Sequence, residues 1–311
     1  VLNTGIVSST QSAGTLNLIG QVTQSGTGAN AVFKGGQGTL VLGGNNTTTF
    51  AGDLTIAVGT VKLESAASLP GGVTTVRSET AVTTTNPVTT SGSNVVTLGG
   101  SDTVTSLNLV PGMVVTGTNV PANTIITGIV GPTSYTVSNL VVTATTGNLT
   151  HTAGGTLDLN GQMAVVGNVT IEGTGQSGYA VGAFGALWNS SYLPAQLSGG
   201  LTLSASATVG GYGNLTLGVV NSGSGATLTK TGGAVLSMNG DNALSLLGPI
   251  TVNVGTLRMG HANALGDTVG ITTIANGAVL DLNGFSTGEN ITVTGAGYGG
   301  SLQVSGYGPV S

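Results

Sequence analysis

The 311 residues include no cysteine, a single tryptophan, five basic and ten acidic side chains, and no apolar run approaching the length of a membrane span. Each scarcity removes a class of function. Without cysteine there is neither a disulfide nor a thiolate metal site. The five cations stand apart at Lys34, Lys62, Arg77, Lys230 and Arg258, with no patch to neutralise a phosphate backbone, so nucleic acid is not expected as a partner. The acids are singletons and form no charged tail or anchor. The longest apolar stretch, Gly178 to Trp188, is well short of the ~20 residues that cross a bilayer, so no membrane-spanning segment is expected. Disorder is excluded from the other side: 39% of residues are hydrophobic and the net charge is only -5, a balance that buries a core.

What is abundant is glycine, 56 residues where ~7% of a chain is usual, and the sequence repeats itself. Lys34 to Pro70 aligns without a gap on Lys230 to Gly266, an offset of 196 positions, with Lys34/Lys230, Leu40/Leu236, Gly44/Gly240, Asn46/Asn242 and Gly59/Gly255 identical. A shorter echo pairs GGTLDLNG at 154–161 with GAVLDLNG at 277–284, an offset of 123. The drop in offset predicts an insertion of about 73 residues in the first copy alone, from Arg77 to about Thr152. The expected organisation is therefore 1–76, an inserted unit 77–152, and 153–311. Within the insertion, alternating runs at Asn94–Leu98, Met113–Thr116, Thr124–Ile129 and Ser134–Val137, punctuated by Gly, Pro and Asn, predict a small antiparallel barrel or sandwich.

Elsewhere four to six alternating residues lead into a Gly/Asn turn, as in Thr39–Leu42 before Gly43–Asn46, Leu54–Val58 before Gly59 and Ile250–Val254 before Gly255. A period of two is strand, and no segment sustains the 3.6-residue period of a helix. Repeated strands too short to bury their own apolar face predict an all-β coil of parallel rungs ~4.8 Å apart, about ten rungs and ~50 Å long. Leu, Val and Ile then point inward, and Thr, Ser and Asn point outward in ladders. Glycine and asparagine take the positive-φ corners.

The phrases VFKGGQGTLVLGGNNTTTFAGDLTIAVGTVKL and TLTKTGGAVLSMNGDNALSLLGPITVNVGTLRMG resemble the passenger-associated β-strand repeats of bacterial autotransporter and related giant surface proteins. That resemblance implies a right-handed parallel β-helix displayed outside the cell, usually adhesive or structural. The expected function is a non-enzymatic extracellular scaffold, a stretch of a surface fibre whose partners are copies of itself or adjacent repeats stacked head to tail. An adhesin whose insertion binds a glycan or protein is the alternative, and a polysaccharide-active enzyme a third reading.

Asp158 and Asp281 recur in Leu-Asp-Leu-Asn-Gly, and the inward leucines on either side predict that both carboxylates face solvent, not a catalytic pocket. His151 and His261 are expected at the surface or in turns. A Lys–Asn isopeptide crosslink at Lys34 or Lys230 would need a buried acid beside the pair. Gly210-Gly211-Tyr212-Gly213-Asn214 lacks the Asp of a calcium β-roll phrase, and no metal, cofactor or catalytic residue is assigned. Candidate partner contacts are Tyr179, Phe184, Trp188 and Tyr192, either an aromatic surface for a glycan or neighbouring fibre or an ordinary rung with rings stacked inside the coil.

Overall fold

The computed structural model describes residues 5–8, 14–23, 31–78, 81–122, 124–139, 147–176, 185–295 and 302–303, and contains no helix among them. The chain winds into a parallel β-solenoid. Its first face stacks Gly5–Ser8, Ala31–Gly35, Asp53–Ile56, Val73–Val76, Asn168–Gly173, the start of Leu201–Gly211, and Val220–Ser222. A second face stacks Thr15–Leu18, Thr39–Leu42, Val58–Leu63, Gly154–Asp158, Leu187–Asn189, the end of Leu201–Gly211, Leu228–Thr231, Ile250–Val252, Ile271–Ile274 and Asn290–Val293. A third stacks Ala195–Leu197, Leu215–Leu217, Val235–Met238, Thr256–Met259, Val279–Asp281 and Leu302–Gln303.

Register is what makes these stacks a core. On the second face Leu40 pairs with Val61, Val61 with Leu157, Leu157 with Leu187 and Leu187 with Val209, so like side chains point inward on successive rungs. On the third, Leu236 pairs with Leu257 and Leu257 with Leu280. Every one of these residues is buried, and they belong to one apolar cluster that continues from Val32 to Leu280. Each such side chain is worth ~1.5–3 kcal/mol when fully buried. A rung alone could not collect it, because half of each inward side chain is covered by the rungs above and below.

The two copies of the repeat are not superposed along the coil. Lys34 lies on the first face and Leu40 on the second, but Lys230 lies on the second and Leu236 on the third. The eleven-residue strand Leu201–Gly211 spans the first and second faces, pairing Asn168–Gly173 and Val220–Ser222 on the first and Leu187–Asn189 and Leu228–Thr231 on the second. The second copy is therefore turned by one face about the solenoid axis.

Between Val76 and Gly154, where the second copy passes from Ile274 to Val279 directly, the chain leaves the coil. It forms two antiparallel sheets. One orders Ile126–Gly131, Ser134–Val137, Val95–Thr97 and Val88–Thr89, and the other Val114–Thr116, Thr150–Thr152 and Ala81–Thr83. These sheets enclose a second apolar cluster that includes Val96, Leu109, Met113, Ile126, Tyr135 and Leu149. The sheets abut the coil where Gly112 meets Gly35, and a Cβ on Gly112 would come within 2.9 Å of the Gly35 Cα.

His151 was expected at the surface and is instead fully buried in this second cluster, where Tyr135 Oη lies 2.6 Å from its Nε2. The partner comes from a strand sixteen residues earlier, which a local reading of the turn does not see. Burial pushes the imidazole down to about 4. The unfolded chain takes up this proton near pH ~6.5, so stability is full above that pH and falls as pH drops through the window to about 4. The expected loss is at most ~3 kcal/mol, confined to the insertion. Near-UV circular dichroism of the tyrosines, followed from about pH 7.5 to about 4, should report it, and His151→Gln should flatten the profile.

Candidate functional site

Two lysines occupy positions where the strand alternation puts apolar side chains. Lys34 pairs with Ile56, and Lys230 with Val209 below and Val252 above, and each is 1% exposed. Lys34 Nζ donates to the carbonyls of Gly35, Gly36 and Val58 at 3.0, 2.6 and 2.9 Å. Lys230 Nζ donates to those of Thr231, Gly232 and Val254 at 2.8, 2.6 and 2.8 Å. An ammonium has three N–H donors, and each here meets one acceptor. Two acceptors belong to the lysine's own corner and the third to the next rung, so each lysine ties consecutive rungs at a corner. Burial pushes Lys34 down to about 7 and Lys230 to about 8, and the three carbonyls oppose that loss of charge. The partners of both ammonium groups are backbone carbonyls, not the acid that an isopeptide crosslink requires.

Asparagine performs the same task at the turns. Asn46 and Asn242 fall in Gly/Asn turns, where asparagine was expected to take a positive-φ corner; neither has a positive φ, and they are 2% and 0% exposed. Asn242 Oδ1 accepts from the Val220 N–H at 2.9 Å, and its Nδ2 donates to the Ala264 carbonyl at 2.8 Å. Asn46 likewise accepts from the Val22 N–H at 2.7 Å and donates to the Ser68 carbonyl at 2.8 Å. One carboxamide thus satisfies a donor on the rung below and an acceptor on the rung above.

The repeated aspartates also depart from expectation. Asp158 and Asp281 are each 4% exposed, not solvated. Asp158 accepts the N–H groups of Asn160 and Ser190, both at 2.9 Å, and the Ser190 hydroxyl at 2.6 Å. Asp281 accepts the Asn283 N–H at 2.9 Å and the Arg258 Nε–H at 2.7 Å. An outward position in a solenoid is flanked by rung neighbours above and below, and the Asx turn draws the carboxylate back onto its own backbone. The two lie on different faces, the second and the third, and do not form a pair of carboxyls across one substrate. His261 sits in a turn, its Nδ1 accepting from the Asn263 N–H at 3.1 Å. No group of three or more His, Cys, Asp or Glu among the described residues is placed to hold a metal ion, and no helix among them is long and apolar enough to cross a membrane.

Of the aromatic contact candidates, Tyr179 and Phe184 lie outside the described residues. Trp188 and Tyr192 lie on one turn but in different surroundings, the first 6% exposed and the second 87%. Neither stacks inside the coil. Trp188 alternates with the inward Leu187 and lies over the neighbouring rungs, where a Cβ on Gly210 would come within 3.0 Å of its ring. Tyr212, passed over in the sequence, joins them from the next rung. Its ring stands edge-on to Trp188 at 5.6 Å and lies tilted 30° to Tyr192 at 6.0 Å. The available signal was distance along the chain, since Tyr212 follows Tyr192 by close to one rung.

The turn that presents Tyr192 is fixed from behind. Asn189, fully buried, accepts the Gly161 N–H at 2.9 Å and donates to the carbonyls of Leu193 and Asn214 at 2.8 and 3.1 Å. Asp158 holds Ser190, and Ser191 Oγ accepts the Leu193 N–H at 3.1 Å. A rigid frame thus carries an exposed aromatic pair at the corner between the second and third faces. The insertion leaves from a different corner, between the first and second.

A 149-residue stretch is 34% identical to the Adhesin BmaC autotransporter of Brucella suis biovar 1 (strain 1330), a match covering 38% of this chain and 4% of that protein. The chain therefore corresponds to a small fraction of that relative's length. No family model and no solved structure matches the chain.

Proposed function

We propose that this chain is a non-enzymatic stretch of a bacterial cell-surface adhesin, in which the solenoid is a stiff shaft and residues 77–152 are a separate unit held out from it for contact. The observation that carries the reading is the shared apolar interior running unbroken from Val32 to Leu280, closed at its corners by neutral and cationic cross-rung ties. Such a shaft depends little on surface charge and so resists changes in salt. Similarity to an autotransporter adhesin supports placing it outside the cell. Adjacent repeats or further copies would lengthen the shaft by continuing the parallel ladders into a fibre.

The test displays the full chain on a bacterial surface, beside a variant in which 77–153 is replaced by the short link that the second copy uses, Ala275 to Ala278. Adhesion to host cells should fall by ~10-fold or more in the variant, while the shaft keeps its melting temperature within ~5 °C. Unchanged adhesion, or turnover of a polysaccharide by the purified chain, would overturn the reading.

A further inference from the structure

The geometry points to a second contact site on the shaft itself: Tyr192 and Tyr212 form a platform for a neutral glycan, taking the C–H face of a pyranose ring. This inference rests on reading the chain as a surface adhesin and names a ligand class that the shaft would engage independently of the insertion.

Three observations favour that ligand. First, the pair is exposed and held open. Tyr192 is 87% and Tyr212 45% exposed, with Leu193 beside them at 68%. An aromatic ring kept in water on a turn anchored through Asn189, Ser190 and Ser191 is not there to complete a core, because the interior cluster closes without it. Second, the rings are pre-set. They lie 6.0 Å apart and tilted by 30°, in successive rungs, with Trp188 standing edge-on behind Tyr212. Tyrosine offers a large contact area with few rotatable bonds, so little ordering remains to be done on binding. The electron-rich face of each ring attracts the weakly positive C–H groups of a sugar.

Third, the flanking turns present mainly polar, neutral side chains. Ser191 approaches Gly161, where a Cβ would come within 2.8 Å of the serine Oγ, and Asn160, Gln162 and Asn214 lie on the flanking turns. The nearby carboxylates are engaged within the protein, Asp158 by Ser190 and Asn160, and Glu64 by Asn160 Nδ2 at 3.5 Å. Hydroxyl and carboxamide groups around an aromatic floor match the hydroxyls around a pyranose.

The test uses the whole chain and its own reporter, since Trp188 is the sole tryptophan and touches the platform. A glycan array carrying host-type oligosaccharides and bacterial polysaccharides selects neutral binders, and Trp188 fluorescence then titrates them. Saturable binding is expected. It should weaken ~10-fold or more in Tyr192→Ala and Tyr212→Ala but stay within about threefold in Tyr192→Phe, which keeps the ring and loses the hydroxyl. Circular dichroism and melting should be unchanged in all three. The array identifies whether the source is host or bacterial, and either supports the inference. Absence of any neutral binder, binding that survives Tyr192→Ala with Tyr212→Ala, or binding lost only when 77–153 is replaced would overturn it. None of these outcomes alters the adhesion result for the insertion, so the two readings fail separately.

Discussion

Gly255→Ala should destabilise the coil by about 3–5 kcal/mol, and Gly59→Ala by a similar amount. Both glycines sit at positive φ, 77° and 82°, where a side chain costs ~1–2 kcal/mol by itself. The larger part is collision. A Cβ on Gly255 would fall on the Gly232 carbonyl oxygen and within 2.8 Å of both the Ala234 carbonyl and Lys230 Nζ. On Gly59 it would overlap the Gly36 oxygen and Lys34 Nζ. These atoms have nowhere to go, because each lysine is hydrogen-bonded to that same carbonyl, Lys230 to Gly232 at 2.6 Å and Lys34 to Gly36 at 2.6 Å. The methyl must therefore break the lysine tie or open the corner. Gly233→Ala is the control: nothing lies within 4 Å of its Cβ position, and it should stay within about 0.5 kcal/mol of wild type. Hydrogen exchange of the strands Leu228–Thr231 and Thr256–Met259 localises the loss, which global denaturation of a solenoid can blur. Lys230→Met should cost less in the Gly255→Ala background than in wild type, because methyl and ammonium compete for one space. Strict additivity of the two would sink the idea that this glycine exists for that lysine.

The reason such corners were only half visible in the sequence is instructive. Lys34/Lys230 and Gly59/Gly255 stand out as repeat identities, but the acceptor that makes each lysine a cross-rung tie lies one rung away, 24 residues along the chain. The parallel coil itself was legible from period-two runs and the repeat, because alternation depends only on neighbours in sequence. Burial of Asp158, Asp281, Asn46 and Asn242 depends on what the next rung places beside them, and so the solvent-facing assignment failed at both aspartates and the bridging role of both asparagines went unseen. The turn of the second copy by one face was equally hidden. A sequence offset measures distance along the chain, whereas the face on which a residue falls is set by the lengths of all the rungs between the copies. Tyr192 was picked out with Tyr179, Phe184 and Trp188 as one aromatic-rich stretch, but its pairing with Tyr212 needs the rung height and the corner geometry together.

These departures share a physical cause. A coil with so few charges still has backbone donors and acceptors to satisfy at every corner, where strand pairing lapses. Among the described residues the remedy is to turn polar side chains inward, not to leave them to water. Acid sensitivity then divides by region. His151 makes the insertion weaker as pH falls, while Glu289, 8% exposed and hydrogen-bonded by Thr272 at 2.7 Å, is pushed by burial up to about 7. For Glu289 the folded form holds its proton above the usual carboxylate range, so the rungs around it lose stability as pH rises through about 7.

Asn242 gives the second large effect. Asn242→Leu keeps the number and branching of the side-chain heavy atoms but leaves the Val220 N–H and the Ala264 carbonyl without their partner in a fully buried turn. Each orphaned group costs ~1–3 kcal/mol, so the expected loss is about 2–4 kcal/mol after the gain from added apolar contact. Loss of size alone cannot explain such a value, and Asn242→Asp separates the two. Its first oxygen can still accept from Val220, but the second faces the Ala264 oxygen and must carry a proton to donate. The acid form of the variant should therefore be nearly as stable as wild type, and the ionised form should be as weak as the leucine variant. Stability should fall as pH rises past the usual carboxylate range, because the folded state holds a proton that the unfolded state releases near ~4. Urea denaturation of the three proteins in mild acid and at neutral pH measures this directly. If the aspartate variant showed the same deficit at both, the carboxamide would be filling space and not bridging rungs.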